Sequence, residues 1–496
     1  MQGQLCNIDW LLMAKIFSPL LVLILAAVIL LIKDAIPSDS DEEAGDSFAL
    51  VILSAALLAA FSLSWMMWPT ADDLVFGPFS VGKSCLAIWM IIFIVTGISA
   101  LTALPSKVAI RREADSYFAF ILIAAASYCL AVSSNDILMI FVSMEIAGVS
   151  SYATVAARSD NSYSLEGALK YFISAAFAAA FFMMGMAFIF GSVASLALGE
   201  IEANSKFITD PSTKSFFMFG AAMAVSYFGF KIAAFPFHAW MPDAVEGAPV
   251  PGASFITTVG KMVPVIILAK LAIAISPSYD PVWHHLLFGI SAATMIFGAV
   301  VALRQENLKR MLAYASISQG GYMLAVIPSM VFDPAAAMKG MVFYAAAFGI
   351  ATAGAFAAVA ALLPGSDVTA DIGRLSGSSQ RSPFLSASFA ILLFSLAGIP
   401  MTVGFAGRYY LFRTILTGGD ILLGFVAAVV SVISIAFYVK PVMAIYFTKQ
   451  EGDIRSDGEA IYTGAAVISA LAIALAASLL LGILPGNLLE FINASF

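Results

Sequence analysis

Five charged side chains lie inside long apolar stretches of the sequence: Glu145, Lys231, Lys261, Arg408 and Lys440. A charge at the centre of a membrane-spanning helix costs about 2.5–3.5 kcal/mol on insertion scales. Such charges persist when they face one another or water inside a helix bundle, where they mark proton or ion pathways. In a row of Glu and Lys groups, each group changes the proton affinity of the next, which is the requirement of a proton relay. We therefore predict proton transfer through this row.

The chemistry of the other charged groups leaves alternatives open. Arginine keeps its proton at any biological pH, so Arg408 is predicted to act as a fixed or swinging charge. Lys270 and Lys440 lie near predicted helix ends, where a long basic side chain either functions in the relay or extends to the membrane surface. His238 is interpreted either as a proton acceptor after Lys231 or as a helix-capping or surface histidine.

The composition excludes several classes of protein. Of 496 residues, 61% are hydrophobic and 11% are charged, and the mean hydropathy is +0.97. Soluble proteins have about 45–50% apolar and about 25% charged residues, so a soluble enzyme is excluded. The net charge of −7 offers no basic surface for a nucleic acid.

The cysteines and histidines do not form a recognisable metal motif. Cys6, Cys85 and Cys129 lie far apart in the sequence, and the chain has three histidines. Zinc sites and iron–sulfur clusters need several such ligands at short spacing. Cys85 and Cys129 lie in apolar segments and are predicted to pack in the interior. We expect no metal and no cofactor in this chain.

The apolar stretches predict about fourteen transmembrane helices, because about 20 apolar residues cross a bilayer. The first lacks a basic leader and a cleavage site, so it is interpreted as a retained helix. The predicted spans are 16–33, 48–67, 84–104, 116–134, 136–156, 168–192, 215–235, 252–275, 285–303, 309–330, 337–362, 384–408, 420–448 and 461–483.

The distribution of Lys and Arg over the loops predicts the orientation. With the N-terminus outside, the inside loops carry roughly twice as many basic residues as the outside loops, as the positive-inside rule requires. The inside residues are Lys33, Lys107, Arg111, Arg112, Arg158, Arg304, Lys309, Arg310, Arg374, Arg381, Lys449 and Arg455. The outside residues are Lys15, Lys83, Lys206, Lys214, Lys339 and Arg413. An even number of helices places both termini outside.

Two of the predicted helices contain residues that interrupt a helix. The seventh helix meets Pro236 within KIAAFPFHAWMP, and the twelfth meets Gly398 and Pro400 within SLAGIPMTVGFAGRYY. Proline removes a backbone donor and opens the hydrogen-bond ladder. Paired broken helices at membrane depth are typical of ion sites in transporters.

Four separated segments resemble the antiporter-like subunits of respiratory complex I. They are FVSMEIAGVSSYATVAARSDNSYSLEGALKYF, KIAAFPFHAWMPDAVEGAPVPGASFITTVGK, NLKRMLAYASISQGGYML and SLAGIPMTVGFAGRYYLF. They follow the order of the family and extend over roughly residues 115–450. The run from Glu246 to Pro251 and the position of Lys261 are most similar to the N-type subunit.

The resemblance implies an all-α polytopic membrane protein of about fourteen helices, with broken helices 7 and 12 and two inverted five-helix repeats. Three N-terminal helices would occupy 1–115, the first repeat (helices 4–8) 116–275, the second repeat (helices 9–13) 276–450, and the last helix 451–496.

The resemblance also implies roles for single residues. Glu145 matches the essential glutamate of helix 5, Lys231 the lysine of broken helix 7, and Lys261 the central lysine of helix 8. Arg408 stands where the N-type family generally has a lysine.

This departure at Arg408 places the last proton step elsewhere, because arginine does not readily release its proton. A water chain, or Lys440 in helix 13, is the alternative. Gln319 stands where relatives often carry a histidine, which removes one more titratable group.

The function implied is that of a proton-translocating membrane subunit in a complex I-like oxidoreductase of a prokaryotic cell membrane. Its partners would be neighbouring antiporter-like and small membrane subunits and lipids, with flavin and iron–sulfur clusters in other subunits. The electron donor would be NADH, ferredoxin or reduced deazaflavin, as in the archaeal dehydrogenases, and the acceptor a quinone or methanophenazine. The alternatives are an Mrp-type cation/proton antiporter subunit without redox partners, and a mainly structural subunit.

Overall fold

A computed structural model describes residues 10–36, 42–71, 74–103, 114–158, 161–275, 281–363, 370–448 and 464–496. Over these ranges the elements of secondary structure are helices, apart from one antiparallel hairpin, β1 (Leu74–Phe76) and β2 (Phe79–Val81). The prediction of an all-α membrane protein is confirmed, although the short hairpin was not expected. Cys6 lies outside the described residues.

The helices are numbered in chain order. They are α1 (Trp10–Ile16), α2 (Ser18–Ala35), α3 (Glu42–Met67), α4 (Lys83–Leu101), α5 (Ala114–Ser133), α6 (Ile137–Val155), α7 (Ser162–Val193), α8 (Leu198–Ser205), α9 (Pro211–Ile232), α10 (Trp240–Gly247), α11 (Val250–Thr257), α12 (Val259–Ile275), α13 (Pro281–Leu303), α14 (Leu308–Leu324), α15 (Pro334–Leu362), α16 (Ser378–Arg381), α17 (Pro383–Ala397), α18 (Val403–Thr417), α19 (Ile421–Phe447), α20 (Ala465–Ile483) and α21 (Pro485–Asn493).

Twelve helical spans within the described ranges are long and apolar enough to cross a membrane. Two expected spans are not among them. The tenth corresponds to α14, which has 17 residues and includes many polar ones, and the twelfth is divided into α17 and α18, of 15 residues each. The number fourteen, the two inverted repeats and their boundaries stay predictions.

Acidic caps begin the two helices that carry Glu145 and Lys231. Asp136 accepts hydrogen bonds from the backbone N–H groups of Leu138 and Met139 at the start of α6. Asp210 accepts from the backbone N–H and the hydroxyl of Thr213 at the start of α9, and these bonds hold the pKa of Asp210 below its usual value. Such caps satisfy amide groups that have no partner within the helix.

Both predicted helix breaks are confirmed. The seventh span divides into α9 and α10 through Ala233, which is left-handed with φ 59°, and a cis peptide bond joins Phe235 to Pro236. The twelfth span divides into α17 and α18 through Gly398 at φ 81° and Met401 at φ 71°. In each case, backbone N–H and C=O groups near the middle of a span lose their partners within the helix.

The eighth span has an interruption that we did not predict. It divides into α11 and α12 at Thr258, where φ is −105° and ψ is −87°. Pro264 lies six residues further on inside α12 and has no N–H to donate to the carbonyl of Gly260. Lys261 therefore lies in the first turn after this interruption, beside a weakened part of the helix.

The long helix α15 forms the centre of the bundle. Almost every one of its side chains is buried, and it packs against α4, α11, α17, α18 and α20. Helices α2, α7 and α20 lie at the periphery and expose many apolar side chains. This arrangement places the second half of the predicted relay around α15.

Candidate functional site

Glu145 and Lys231 form an ion pair between α6 and α9. The Lys231 Nζ lies 3.0 Å from Glu145 Oε1, with 3% of the lysine side chain and 27% of the glutamate side chain exposed. Lys231 is in the last turn of α9, where the unpaired carbonyls of a helix end favour a cation. The break after α9 thus places this amine at the carboxylate.

Two tyrosines surround the ion pair. The Tyr227 hydroxyl donates a hydrogen bond of 2.7 Å to Glu145 Oε1, and Lys231 Nζ donates a longer one of 3.5 Å to the Tyr152 hydroxyl. The amine also lies 5.3 Å from the centre of the Tyr227 ring. A buried ion pair is tolerated when such additional polar contacts satisfy its charges.

Gly148 makes room for the lysine amine. A Cβ atom at this position would lie 2.9 Å from Lys231 Nζ and 2.8 Å from the Tyr152 hydroxyl. Gly148 follows Glu145 by three residues on α6, so the two residues share a helix face. Neither Gly148 nor Tyr227 was predicted from the sequence, because their role depends on a neighbour from another helix.

Lys261 lies fully buried on α12. Within the described residues, its Nζ has no hydrogen-bond partner. A Cβ at Gly320 of α14 would lie 3.4 Å from Lys261 Cδ and 3.2 Å from Ile232 Cγ2. Lys261 is therefore close to the residue that follows Lys231, and α14 packs over both.

Gln319, which precedes Gly320 on α14, belongs to a buried polar cluster. Its Nε2 donates to the Leu396 carbonyl at 3.2 Å and to the Tyr438 hydroxyl at 3.3 Å. Its Oε1 accepts a hydrogen bond from the Tyr344 hydroxyl. Lys261 and this cluster are thus next to adjacent residues of α14, Gly320 and Gln319.

Arg408 of α18 caps the end of α17. Its guanidinium donates to the carbonyls of Leu396 at 2.6 Å and Ala397 at 2.7 Å, and to the Ser434 hydroxyl at 3.3 Å. These are the last carbonyls of a helix, which have no partner within it and attract a cation. The geometry fits a fixed charge.

A small cavity lies beside Arg408. Its volume is about 10 Å³, and its lining includes Gln319, Tyr344, Ser395 and Arg408. This volume is at the lower limit for one water molecule. The cluster can therefore form a short hydrogen-bond chain around a charge that does not titrate.

Lys440 and Lys270 bind backbone carbonyls at helix ends. Lys440 Nζ donates to the Gln305 carbonyl after α13 at 2.7 Å. Lys270 Nζ donates to the carbonyls of Val132 and Ser134, each at 2.8 Å, at the end of α5. These contacts support the surface interpretation of both lysines, and a transfer role for Lys440 stays a prediction.

His238 lies in the break between α9 and α10. Its ring packs 4.3 Å from the Phe297 ring and 5.6 Å from the Phe235 ring. Among the described residues, its buried Nδ1 has no hydrogen-bond partner. Its position after Lys231 agrees with either interpretation made from the sequence.

A network of charges that we did not predict joins three helices at one end of the bundle. Arg310 Nη1 of α14 lies 2.8 Å from Asp243 Oδ1 and 2.5 Å from Glu246 Oε2, both on α10. Lys170 of α7 lies 2.7 Å from Asp243 Oδ2. Lys309 Nζ donates to the Glu246 carbonyl at 2.7 Å. The network fixes α10, the second half of the broken helix.

Over the ranges that the structure describes, no group of three or more His, Cys, Asp or Glu residues is placed to hold a metal ion. Cys85 and Cys129 are buried and free, as predicted for packing residues. The expectation that this chain holds no cofactor stays a prediction.

The model of one protein family, described as the transmembrane part of NADH:quinone oxidoreductase and Mrp antiporters, matches residues 134–434. The chain belongs to this family. The matched segment contains Glu145, Lys231, Lys261 and Arg408, and the family resemblance predicted from four segments is confirmed.

One relative and chains of two solved structures show how similar this chain is to known proteins. It is 30% identical to NADH-quinone oxidoreductase subunit N 1 of Solibacter usitatus over 482 residues, which are 97% of this chain and 96% of the relative. It is 26% identical to a chain of respiratory complex I from Thermus thermophilus, with a TM-score of 0.78, covering 96% of this chain and 99% of that one. A chain of the Mrp complex from Dietzia sp. DQ12-45-1b is 19% identical, with a TM-score of 0.81 over 98% and 97% of the two chains. This last similarity concerns the fold alone.

Proposed function

We propose that this chain is the N-type proton-translocating membrane subunit of a complex I-like oxidoreductase. The observation that carries the proposal is the buried contact of 3.0 Å between Lys231 and Glu145 at a helix break. It occurs in a chain with 30% identity to a subunit N along almost its whole length.

The ion pair supplies the switch. While it is closed, the carboxylate of Glu145 and the surrounding tyrosines stabilise the charged amine of Lys231. When it opens, an ammonium remains in an apolar interior without compensation, which is unfavourable by several kcal/mol. Loss of the proton relieves this cost. A movement of a few ångströms is therefore enough to drive proton release.

Lys261 is the proposed next acceptor. It lies beside Ile232, packed under the same glycine of α14, and it is completely buried. Because its Nζ has no partner among the described residues, it holds a proton only while water or another charge stabilises it. This property suits a site that is loaded and emptied in each cycle.

The last step is proposed to pass along hydroxyl groups and water around Arg408. Tyr344, Gln319 and Tyr438 are connected by hydrogen bonds, and the adjoining cavity has room for about one water molecule. Arg408 holds a constant positive charge there, which repels a proton toward the membrane surface.

Electron transfer would occur in partner subunits that carry flavin and iron–sulfur clusters. This chain would be driven through its contacts with neighbouring membrane subunits, and the whole assembly would act as a translocase. We place it in a prokaryotic cell membrane with both termini outside, since the relatives are bacterial and the basic residues favour that orientation.

The assignment is tested in the purified assembly reconstituted into liposomes. Lys231→Met and Glu145→Gln are expected to lower proton transfer through this subunit by at least about tenfold, as for removal of a positioned proton-transfer group. The matched control is Lys206→Met, because Lys206 is exposed and pairs with Glu202 at 3.6 Å. Undiminished proton pumping in both variants, with normal electron transfer, would reject the assignment.

The Mrp-type antiporter is the second candidate, because the description of the matching family model also names Mrp antiporters. The two functions predict different partners. Copurification of flavin and iron–sulfur subunits supports the oxidoreductase, whereas small membrane proteins alone support the antiporter. A mainly structural role requires normal pumping in a Lys261→Met variant.

A further inference from the structure

A cleft of about 460 Å³ opens between the beginning of α15 and the end of α18. Leu489 and Asn493 of α21 also line it. Ligand-binding clefts have volumes of roughly 300–1,000 Å³. The proposed proton-transfer residues do not line this cleft, so it requires a separate explanation.

The cleft has an excess of positive charge. Lys339 and Arg413 line it, and so does a single carboxylate, that of Asp333. Asp333 already accepts a hydrogen bond of 3.0 Å from the Ala336 N–H as the cap of α15. Among the described residues, neither Lys339 nor Arg413 forms an ion pair. Two cations that converge on a cleft are suited to an anion, and arginine binds phosphate in a bidentate manner.

A buried hydroxyl adds a neutral hydrogen-bond donor to the two cations. Ser329 lines the cleft and is 2% exposed, and within the part of the chain that the structure describes its Oγ has no hydrogen-bond partner. A buried polar group without a partner costs free energy. A phosphate oxygen in the cleft would satisfy it.

The surroundings of the cleft indicate a lipid as the source of this phosphate. Lys339 lies five residues after the start of α15 and Arg413 four residues before the end of α18. Basic side chains near the ends of membrane helices are suited to contact lipid headgroups. Phe332, which lines the cleft, is 70% exposed. Leu416, which precedes the lining residue Thr417 in the sequence, is 50% exposed. Apolar side chains next to a cationic cleft suit acyl chains below a headgroup.

We propose that this cleft binds the headgroup phosphate of an anionic phospholipid. Lys339 and Arg413 contact the phosphate, Ser329 donates a hydrogen bond to it, and Phe332 and Leu416 contact the acyl chains. The site is independent of proton transfer through Glu145 and Lys231. It would fix the outer ends of α15 and α18 to the lipid around the assembly.

Native mass spectrometry of the delipidated, purified assembly tests the site, with phosphatidylglycerol and phosphatidylcholine as the probes. The unaltered assembly is expected to retain one more phosphatidylglycerol than the Lys339→Gln/Arg413→Gln variant. Its apparent affinity should fall by at least about tenfold on loss of two charge-assisted contacts. Lys15→Gln is the control, because Lys15 is exposed and is predicted on the same side of the membrane.

Arg413→Lys keeps the charge but not the planar guanidinium, so its loss of affinity should be smaller, which distinguishes a binding defect from misfolding. Equal retention of phosphatidylglycerol in all variants would overturn the proposal. Binding of inorganic phosphate at these residues without the lipid would also overturn it. So would a Phe332→Cys variant that forms a cross-link to a partner subunit and not to a photoactivatable lipid.

Discussion

Lys231 reaches Glu145 because the helix that carries the carboxylate has a glycine at the point of contact. A side chain at Gly148 would occupy the volume of the amine and of the Tyr152 hydroxyl. The Tyr227 hydroxyl then completes the contacts of the carboxylate at 2.7 Å. At this scale, the free space around the pair matters as much as its charges.

Gly148→Ala is expected to displace the Lys231 amine and to slow proton transfer through this subunit by about fivefold, equivalent to about 1 kcal/mol in the barrier. The measurement is proton pumping per electron in liposomes. The control is Gly191→Ala on α7, where an added Cβ meets no atom within 4 Å. A Gly148→Ala assembly that pumps like the control would mean that the amine tolerates displacement.

The charged residues of the site were predictable, whereas their supports were not. Glu145 and Lys231 stand out because a charge in an apolar segment is costly wherever it lies. Gly148 and Tyr227 have nothing unusual in their local sequence. Their importance arises from contacts between α6 and α9, and a single sequence does not reveal which helices pack together.

At the scale of helices, the two breaks differ in what satisfies them. The end of α9 is completed in part by Trp240, whose Nε1 donates to the Phe230 carbonyl at 3.0 Å. The end of α17 is completed by the guanidinium of Arg408. The second break therefore uses a cation from the following helix half, together with the Gln319 amide, which also donates to the Leu396 carbonyl.

Arg408→Lys is expected to retain proton translocation but to lower the stability of the assembly. A lysine lacks the planar fork that binds two carbonyls at once, and a lost hydrogen bond to a charged group costs about 1.5–3 kcal/mol. Apparent Tm and pumping are measured together, with Arg304→Lys, an exposed arginine, as the control. Loss of pumping with unchanged Tm would assign Arg408 a direct part in transfer.

Gly404→Ala is expected to destabilise the break within the twelfth predicted span, between α17 and α18. Gly404 of α18 packs directly on the Ser395 carbonyl of α17, and an added Cβ would collide with that oxygen. Overpacking of this kind costs about 1–3 kcal/mol, so the apparent Tm of the purified assembly should fall. Gly289→Ala on α13 is the control, because Gly289 has open space around it, and it should leave Tm unchanged or raise it. The same result for Gly404→Ala would show that the close contact with Ser395 does not limit stability.

The interruption of the eighth span could not be predicted from the position of its proline. Pro236 and Gly398 interrupt their helices close to where they stand in the sequence. Pro264, by contrast, lies within α12, and the interruption occurs six residues earlier at Thr258. Hydropathy measures the apolar length of a span but not the continuity of its backbone.

At the scale of the whole molecule, composition was sufficient for the fold class but not for the number of spans. The twelve apolar spans of the described residues follow from hydropathy alone. Helix α14 has 17 residues, many of them polar, and α17 and α18 are short because the break at Gly398 and Met401 divides their span. Such helices are recognised by comparison with relatives, not by their length.

The predicted orientation can be tested on intact cells. In a chain with Cys6 replaced by Ser, Lys206→Cys should react with a membrane-impermeant maleimide from outside, and Arg304→Cys only after permeabilisation. Cys85 and Cys129 are buried and provide little background. The opposite labelling pattern would invert the topology and the direction of the proposed proton path.

The proposed mechanism requires Glu145 and Lys231 to act as one unit, and a double-mutant cycle measures this directly. Proton pumping per electron is compared in liposomes for Glu145→Gln, Lys231→Gln and the double variant. Because the two groups form one switch, the double variant should lose no more activity than the more impaired single variant. Losses that multiply in the double variant would show that the two residues contribute separately, and would contradict the mechanism.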